Sequence, residues 1–362
     1  MTGLDANATE KLRPEARQAV LAALDLGGNP ASVHAAGRAA RRLLEEARET
    51  IAVRFGGRPA DLVFTSGGTE ADALAVHALG AGRRLIVGAT EHDAVRTAAG
   101  GAAVLPVDGD GVADLAALRR LLGEGGPALV CLMLANNETG TLHPVAEAAG
   151  LCRQAGALLH VDAVQAAGRI AVDFAALGAD SLALSSHKLG GPPGAGALLV
   201  APALSAGLAP LIAGGGQERG RRGGTPPLPA IAGFAAAALV ARGAAALAPL
   251  RDEAERGAME AGAVALGAGA PRLPNTSCLA LPGVRADTQV IALDLAGVQV
   301  SAGAACSSGK VARSHVLDAM GAGALAGQAI RVSLPWCAGP AEVDAFLRAY
   351  RAMAERLSRR AA

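Results

Sequence analysis

Short apolar runs separated by longer mixed stretches fill the first two-thirds of the chain. "DLVFT" (61–65), "RLIVG" (84–88), "AVLPV" (103–107), "ALVCLML" (128–134), "ALLHVD" (157–162) and "SLALS" (181–185) read as strands. Between them, "TEADALAVHALG", "DLAALRRLLGEG" and "PVAEAAGLCRQAG" each predict a helix closed by glycine. This alternation predicts an α/β fold with a mostly parallel sheet covered by helices on both faces. In such sheets ligands lie outside the carboxyl ends of the strands, and the polar residues of interest here follow the apolar runs directly.

The pattern changes at "GGGQERGRRGGTPPLP" (214–229), too long an irregular stretch to be idle inside a compact chain. An Ala-rich helix is expected from about Leu228 to about Leu266. After it, "CLALPG", "AIRVSLP" and the closing helix "PAEVDAFLRAYRAMAERLSRR" predict a smaller α+β unit. The expected division is a large domain over 14–250, and a small domain formed by 1–13 with 251–362.

Composition narrows the class. The chain has 362 residues, 51% hydrophobic and 18% charged, enough for two globular domains with real cores. A net charge of +1 gives no footprint for nucleic acid or for an anionic membrane surface. The N-terminus lacks a basic segment followed by an apolar core, and the most apolar stretch is too Ala-rich for a membrane span. The five cysteines are odd in number, widely spaced and without zinc spacing, so neither a disulfide framework nor a metal site is expected. The cytoplasm is the expected compartment.

Candidate chemistry starts at "ALSSHKLGGPPGAG". The chain uses arginine almost exclusively; Lys11, Lys188 and Lys310 are its three lysines. Lys188 follows a predicted strand beside Ser185 and His187. A surface charge is the plain reading, but only lysine can form a Schiff base, so pyridoxal phosphate is the sharper one. That cofactor makes further demands. Its phosphate suits the Gly-rich helix start of "FTSGGTEAD", where Gly67 and Gly68 precede Thr69. Its ring nitrogen needs a carboxylate, and Asp162 ends the strand "LLHVD", where it could otherwise cap the next turn. Gln165, one turn on, can reach the ring hydroxyl. His92, in "TEHDAV" after a strand end, can stack on the ring and move protons. Finally, "SAGAACSSGK" sets Cys306 among the smallest side chains, which suits a mobile reactive loop (about 301–312) better than a packed thiol.

Taken in order, "LDANATE", "GNPASVHAAGR", "FTSGGTEAD", "TEHDAV", "ANNETG", "HVDAVQ", "SSHKLGGPPGAGAL", "GGGQERGRRGGT", "SAGAACSSG" and "IRVSL" resemble the cysteine desulfurases. These are pyridoxal-phosphate enzymes of the class V aminotransferase group with fold type I, a seven-stranded-type large sheet plus a smaller domain. The NifS-like subgroup with the long cysteine loop is the nearer likeness, and it spans residue 4 to about 350. The resemblance implies that Lys188 holds the cofactor and that Gly68, Thr69, Ser185 and His187 bind its phosphate. It gives Asp162, Gln165 and His92 to the ring, and assigns Asn137 and Arg331 to the substrate L-cysteine. Cys306 becomes the sulfur-accepting nucleophile. Thr225 reaches the phosphate of the neighbouring subunit in a homodimer, and a sulfur-acceptor or scaffold protein for iron–sulfur assembly or tRNA thiolation is the expected partner. A selenocysteine lyase, another class V lyase or aminotransferase, or a non-catalytic homologue that binds a sulfur carrier are the alternatives. The chain departs from the family's pattern at Pro193, usually lysine, at Ala73, usually asparagine, and at Pro335-Trp336, usually Gly-Arg. The first loses a charge, the second a helix-start hydrogen bond, and the third reshapes an edge of the small domain.

Overall fold

The computed structural model describes residues 1–303 and 313–361. Its large sheet has seven strands in the order Leu62–Thr65, Gly196–Val200, Ser181–Ser185, Leu158–Asp162, Ala128–Cys131, Arg84–Gly88 and Ala103–Leu105. Gly196–Val200 runs antiparallel to both of its neighbours, and the remaining pairings are parallel. Successive side chains of a strand point to opposite faces. Accordingly Leu62 and Phe64 enter one core with Ile86, Val130 and Leu182, while Val63 enters a second with Val87, Leu129 and Ala183. Helix Gly68–Gly80 supplies Ala71, Leu74 and Ala75 to that second core. Both faces are therefore dry, which is why these strands are continuous apolar runs rather than alternating ones.

Several elements differ from the sequence expectation. The strand Gly196–Val200 was hidden behind the Gly/Pro turn that precedes it. The run at 128–134 keeps regular pairing only to Cys131. Beyond that, Leu132 and Leu134 still donate to His160 and Asp162 carbonyls at 3.0 and 2.8 Å, whereas the Met133 N–H turns to the Glu91 carboxylate. The run at 103–107 ends at Leu105 because Pro106 has no N–H to continue a ladder.

The long Ala-rich helix is two helices, Leu228–Val240 and Ala248–Glu260, with a 69° bend between them. Gly243 at the break has φ +111°, outside the helical region, and the Ala244 N–H leaves the helix to meet Arg169 O at 2.8 Å. The break has a packing reason. Ile231 and Phe234 are buried in the large core, whereas Ala254 and Ala258 join a separate core with Leu279, Ile330, Val332, Phe346 and Tyr350. That second core lies under an antiparallel sheet ordered Ser301–Ala302, Ala329–Ser333, Thr276–Ala280, Val264–Leu266. Among the described residues no single helix is long and apolar enough to cross a membrane.

Residues 214–229 are not a slack linker. Glu218 (φ 49°) and Arg219 (φ 60°) take left-handed conformations that cost non-glycine residues on the order of 1–3 kcal/mol each. A buried fork offsets that strain: both Nη atoms of Arg48 meet the Glu218 carboxylate at 2.7 Å, and the Phe64 N–H adds a third bond at 2.9 Å. Arg222 pairs with Glu70 at 2.8 Å, tying the segment to the first turn of helix Gly68–Gly80.

The N-terminal strap joins the two units. Thr2–Gly3 pairs with Val298–Gln299, Asp5 bridges to Ser333, the Glu10 N–H reaches His187 O and the Arg13 N–H reaches Gly190 O. The departure at Pro335-Trp336 bears on this strap. Trp336 Nε1 donates to Lys11 O at 3.0 Å, and the Arg13 guanidinium lies 4.7 Å from the centre of its ring.

His143 is buried, accepting the Ala113 N–H at Nδ1 (3.2 Å) with Thr90 Oγ1 3.3 Å from Nε2. Burial pushes its pKa down to about 4. The folded state thus binds fewer protons than the unfolded one from the ordinary histidine value of about 6.5 downwards, so this residue's contribution is full above that value and lost as pH falls towards 4. At pH 5 the loss is about 2 kcal/mol, at 1.36 kcal/mol per pKa unit. Urea unfolding of His143→Gln should therefore change less between pH 7 and pH 5 than that of the native chain; an equal change would refute the assignment.

Candidate active site

Nine of the residues singled out from the sequence, Gly68, Thr69, His92, Asn137, Asp162, Gln165, Ser185, His187 and Lys188, line one cavity of about 150 Å³. They arrive from the carboxyl ends of five strands, where the alternating pattern placed them. Asp72, Met133, Ala135 and Val164 complete the wall.

One end of the cavity is built for an anion. Helix Gly68–Gly80 begins without any side-chain cap, so its first amides have no partner in their own helix. Ser185 Oγ is buried and has no hydrogen-bond partner among the described residues. His187 stands beside it with its pKa lowered to about 4, by burial first and then by the charges of Lys188 and Arg169. A bound dianion would reverse that push. The turn also needs its glycines. A Cβ on Gly196 would lie 2.5–2.7 Å from the Gly67 backbone, and one on Gly68 would meet Val164 Cγ2 at 2.7 Å. Backbone cannot yield as a side-chain tip can. Gly196→Ala should therefore move the Gly67–Thr69 turn and weaken retention of a phosphorylated ligand by roughly tenfold or more, about 1.4 kcal/mol; equilibrium dialysis against pyridoxal phosphate reads it, and unchanged retention would count against the cradle.

The opposite end is acidic. Asp162 accepts the Val164 N–H at 2.8 Å, so it closes the turn after its strand and still faces the cavity. Burial raises its carboxyl pKa, against the lowering pull of that N–H, His92 and Lys188. A cationic ring nitrogen here would supply the counter-charge that burial denies this carboxylate. Beneath it, on the same strand face, His160 links Ser181 Oγ (2.8 Å) to Asp72 Oδ1 (3.1 Å). Burial drives the His160 pKa down to about 3 and the Asp72 carboxyl well up, pushing both towards their neutral forms. Glu91 is also buried with a raised pKa, again by burial and then by the Asp162 charge.

Lys188 Nζ donates to two carbonyls of the N-terminal strap, Asn7 O at 2.6 Å and Ala8 O at 2.9 Å. Neutral dipoles thus hold the amine at the cavity wall. Gln165 is oriented too: Arg169 Nη1 donates to its Oε1 at 2.9 Å, and its own Nε2 donates to Asn7 O at 3.1 Å. The amide therefore presents N–H, not carbonyl, to its surroundings. His92 Nδ1 accepts the Ala94 N–H at 3.1 Å and so starts helix Asp93–Ala98. That bond uses the Nδ1 lone pair, so the neutral ring carries its proton on Nε2.

Arg331, on the strand Ala329–Ser333, does not line the cavity but stands behind Asn137. Its Nη1 donates to Asn137 O at 3.0 Å and its Nη2 pairs with Asp5 at 2.6 Å. Its buried Nε has no partner among the described residues. Thr225 lies apart from the cavity, in a shallow depression with Leu24, Gly28 and Leu228. Cys306 lies outside the described residues. Sequence reasoning missed Asp72, Glu91, His160, Asn7 and Asp5. A histidine in the apolar strand "LLHVD" was a usable signal for His160, and so was an acid on the buried face of helix Gly68–Gly80 for Asp72. Asn7 acts through its carbonyl, which leaves no mark on side-chain chemistry.

Comparison with known proteins fits this geometry. The family profile described as "Aminotransferase class-V" matches residues 3–346. A cysteine desulfurase of Cereibacter sphaeroides is 44% identical, with 95% of this chain and 93% of that protein covered. A NifS-like protein from Rickettsia africae ESF-5 has a solved structure that superposes with a TM-score of 0.90 at 32% identity, covering 98% and 99% of the two chains. SspA, solved in complex with cysteine, superposes with a TM-score of 0.81 at 28% identity, covering 92% and 99%. Fold and site define a class V aminotransferase, of the pyridoxal-phosphate fold type I. Within that family the chain belongs with the cysteine desulfurases.

Proposed function

We propose that the protein is a pyridoxal-phosphate-dependent cysteine desulfurase, converting L-cysteine to L-alanine and passing the sulfur on as a persulfide of Cys306. The observation that carries this reading is the meeting of Lys188, Asp162, His92, Ser185 and the Gly68 turn in one cavity, in a chain whose curated relatives are cysteine desulfurases. Bound pyridoxal phosphate would supply a sink for the electrons left at the substrate α-carbon. Gly68, Thr69, Ser185 and His187 would take its phosphate, Asp162 its ring nitrogen and Gln165 its hydroxyl. His92 would lie over the ring, and Lys188 would hold its aldehyde carbon.

Lys188 would then be the base nearest the α-proton. Arg331 would pair with the substrate carboxylate, whose arrival would compete with Asp5, and Asn137 would complete the grip. The Cys306 thiolate forms a bond to the substrate sulfur as the carbon–sulfur bond breaks. The carbon so released gains a proton and leaves as alanine, so one thiol becomes one persulfide. His92 would serve as the proton acceptor that makes the thiolate, once Nδ1 releases the Ala94 N–H and takes the ring proton so that Nε2 is free of it.

The working form would be a homodimer in which Thr225 reaches the partner subunit's phosphate. Its distance from its own cavity supports this, as do the exposed apolar side chains of Leu21, Leu24, Val33, Leu211 and Ile212. Each chain would divide into residues 14–250 and a small domain of 1–13 with 251–362. A cytoplasmic sulfur acceptor for iron–sulfur clusters or thiolated tRNA would be the partner. Holoenzyme given L-cysteine should release alanine and retain sulfur in equal amounts. Absence of alanine from L-cysteine, with alanine formed from L-selenocysteine, would turn the reading to a selenocysteine lyase.

A further inference from the structure

Glu138 holds none of the roles above, yet two parts of the chain meet on one of its oxygens. The residue is 2% exposed. Its Oε2 accepts the Ser314 hydroxyl at 2.6 Å. A Cβ placed on Gly303 would fall 2.7 Å from that same Oε2. Gly303 and Ser314 flank the segment 304–312 that contains Cys306. Both ends of that segment therefore converge on a single carboxylate oxygen.

Each flank is tied further into the site. The one hydroxyl proton of Ser314 goes to Glu138, which leaves its lone pairs for the Leu317 N–H at 3.1 Å, the cap of helix His315–Ala319. His315 Nε2 lies 3.0 Å from the carbonyl of Glu91, next in sequence to His92. On the other side, Ser301 and Ala302 pair with Arg331 and Ile330. Glu138 itself is held from behind: its N–H donates to Asn136 Oδ1 at 2.8 Å, and the preceding carbonyl of Asn137 is the one that Arg331 grips.

We infer that Glu138 is a positioning residue for the sulfur-accepting cysteine, gripping Ser314 and abutting Gly303 so that the two ends flanking Cys306 are fixed relative to the cavity. The inference rests on the assignment of Cys306 under Proposed function. The grip needs a hydrogen-bond acceptor rather than a charge, which Glu138→Gln retains and Glu138→Ala removes. Gly303→Ala leaves the carboxyl in place but pushes a methyl into it.

The test compares holoenzymes of these three variants and of the Glu138→Ala/Gly303→Ala double variant. The readouts are cofactor content, kcat and KM for L-cysteine, and single-turnover persulfide on Cys306 by mass spectrometry. Glu138→Ala and Gly303→Ala should each lower kcat and persulfide yield by about 10- to 100-fold, the scale of a misplaced reacting group, with KM and cofactor content unchanged. Glu138→Gln should keep most of the rate. The double variant should be no slower than Glu138→Ala alone, because clash and grip share one atom. Equal damage in Gln and Ala variants, additive losses in the double variant, or a native rate in Gly303→Ala would overturn the inference. Gly303→Ala carries the test should Glu138→Ala not fold. Cys306→Ser, run in parallel, separates the two ideas: a native rate there defeats the cysteine assignment, whereas a dead Cys306→Ser beside a native Glu138→Ala defeats only the positioning role.

Discussion

Lys188→Ala is expected to lose alanine formation by roughly a thousandfold or more while the chain still folds. The loss follows from what surrounds the amine. Asn7 O and Ala8 O hold Nζ at 2.6 and 2.9 Å at the cavity wall, within electrostatic reach of Asp162. Nearby Asp162, with its raised pKa, loses one of the charges that pull it down. Lys188→Arg makes the sharper comparison. It keeps a cation facing the two carbonyls but cannot bond to an aldehyde and stays protonated at neutral pH. Both variants should therefore be inactive and lack the absorbance of a lysine-bound cofactor, and only the arginine variant should retain native stability. Activity in Lys188→Arg would mean that the residue acts as a charge alone.

The second large effect belongs to Cys306→Ser, for which persulfide formation should vanish and alanine release should fall by on the order of a thousandfold. The other cysteines frame this expectation. Cys131, Cys152 and Cys278 are buried, and burial pushes all three thiols up, Cys152 to about 12. Such groups pack as small hydrophobes and do not attack sulfur. Cys337 is exposed, so Cys337→Ser is the necessary control and should keep the native rate. A loss in Cys337→Ser equal to that in Cys306→Ser would move the sulfur to the wrong residue.

The strands of the large sheet were legible because both of their faces are dry, so burial writes itself as an unbroken apolar run. The cavity residues were legible for a related reason. Asp162, Ser185 and Lys188 are polar groups placed directly where those runs stop. The bend at Gly243 was not legible, since an Ala-rich stretch has no periodicity with which to mark a change of packing partner. Nor was the pairing of Asp72 with His160, which depends on a helix crossing a strand 88 positions away in sequence. Glu138 and Asn7 show the remaining difficulty. Their motifs "ANNETG" and "LDANATE" were visible, but their work is done on a serine and on a lysine from distant elements, and no local pattern specifies either contact.

The most direct measurement is a single turnover of native holoenzyme with L-cysteine, followed by intact-peptide mass spectrometry under non-reducing conditions. The account predicts one extra sulfur atom on the peptide containing Cys306 for each alanine released, and none on the peptides containing Cys131, Cys152, Cys278 or Cys337. Alanine released in full with Cys306 unmodified would contradict it.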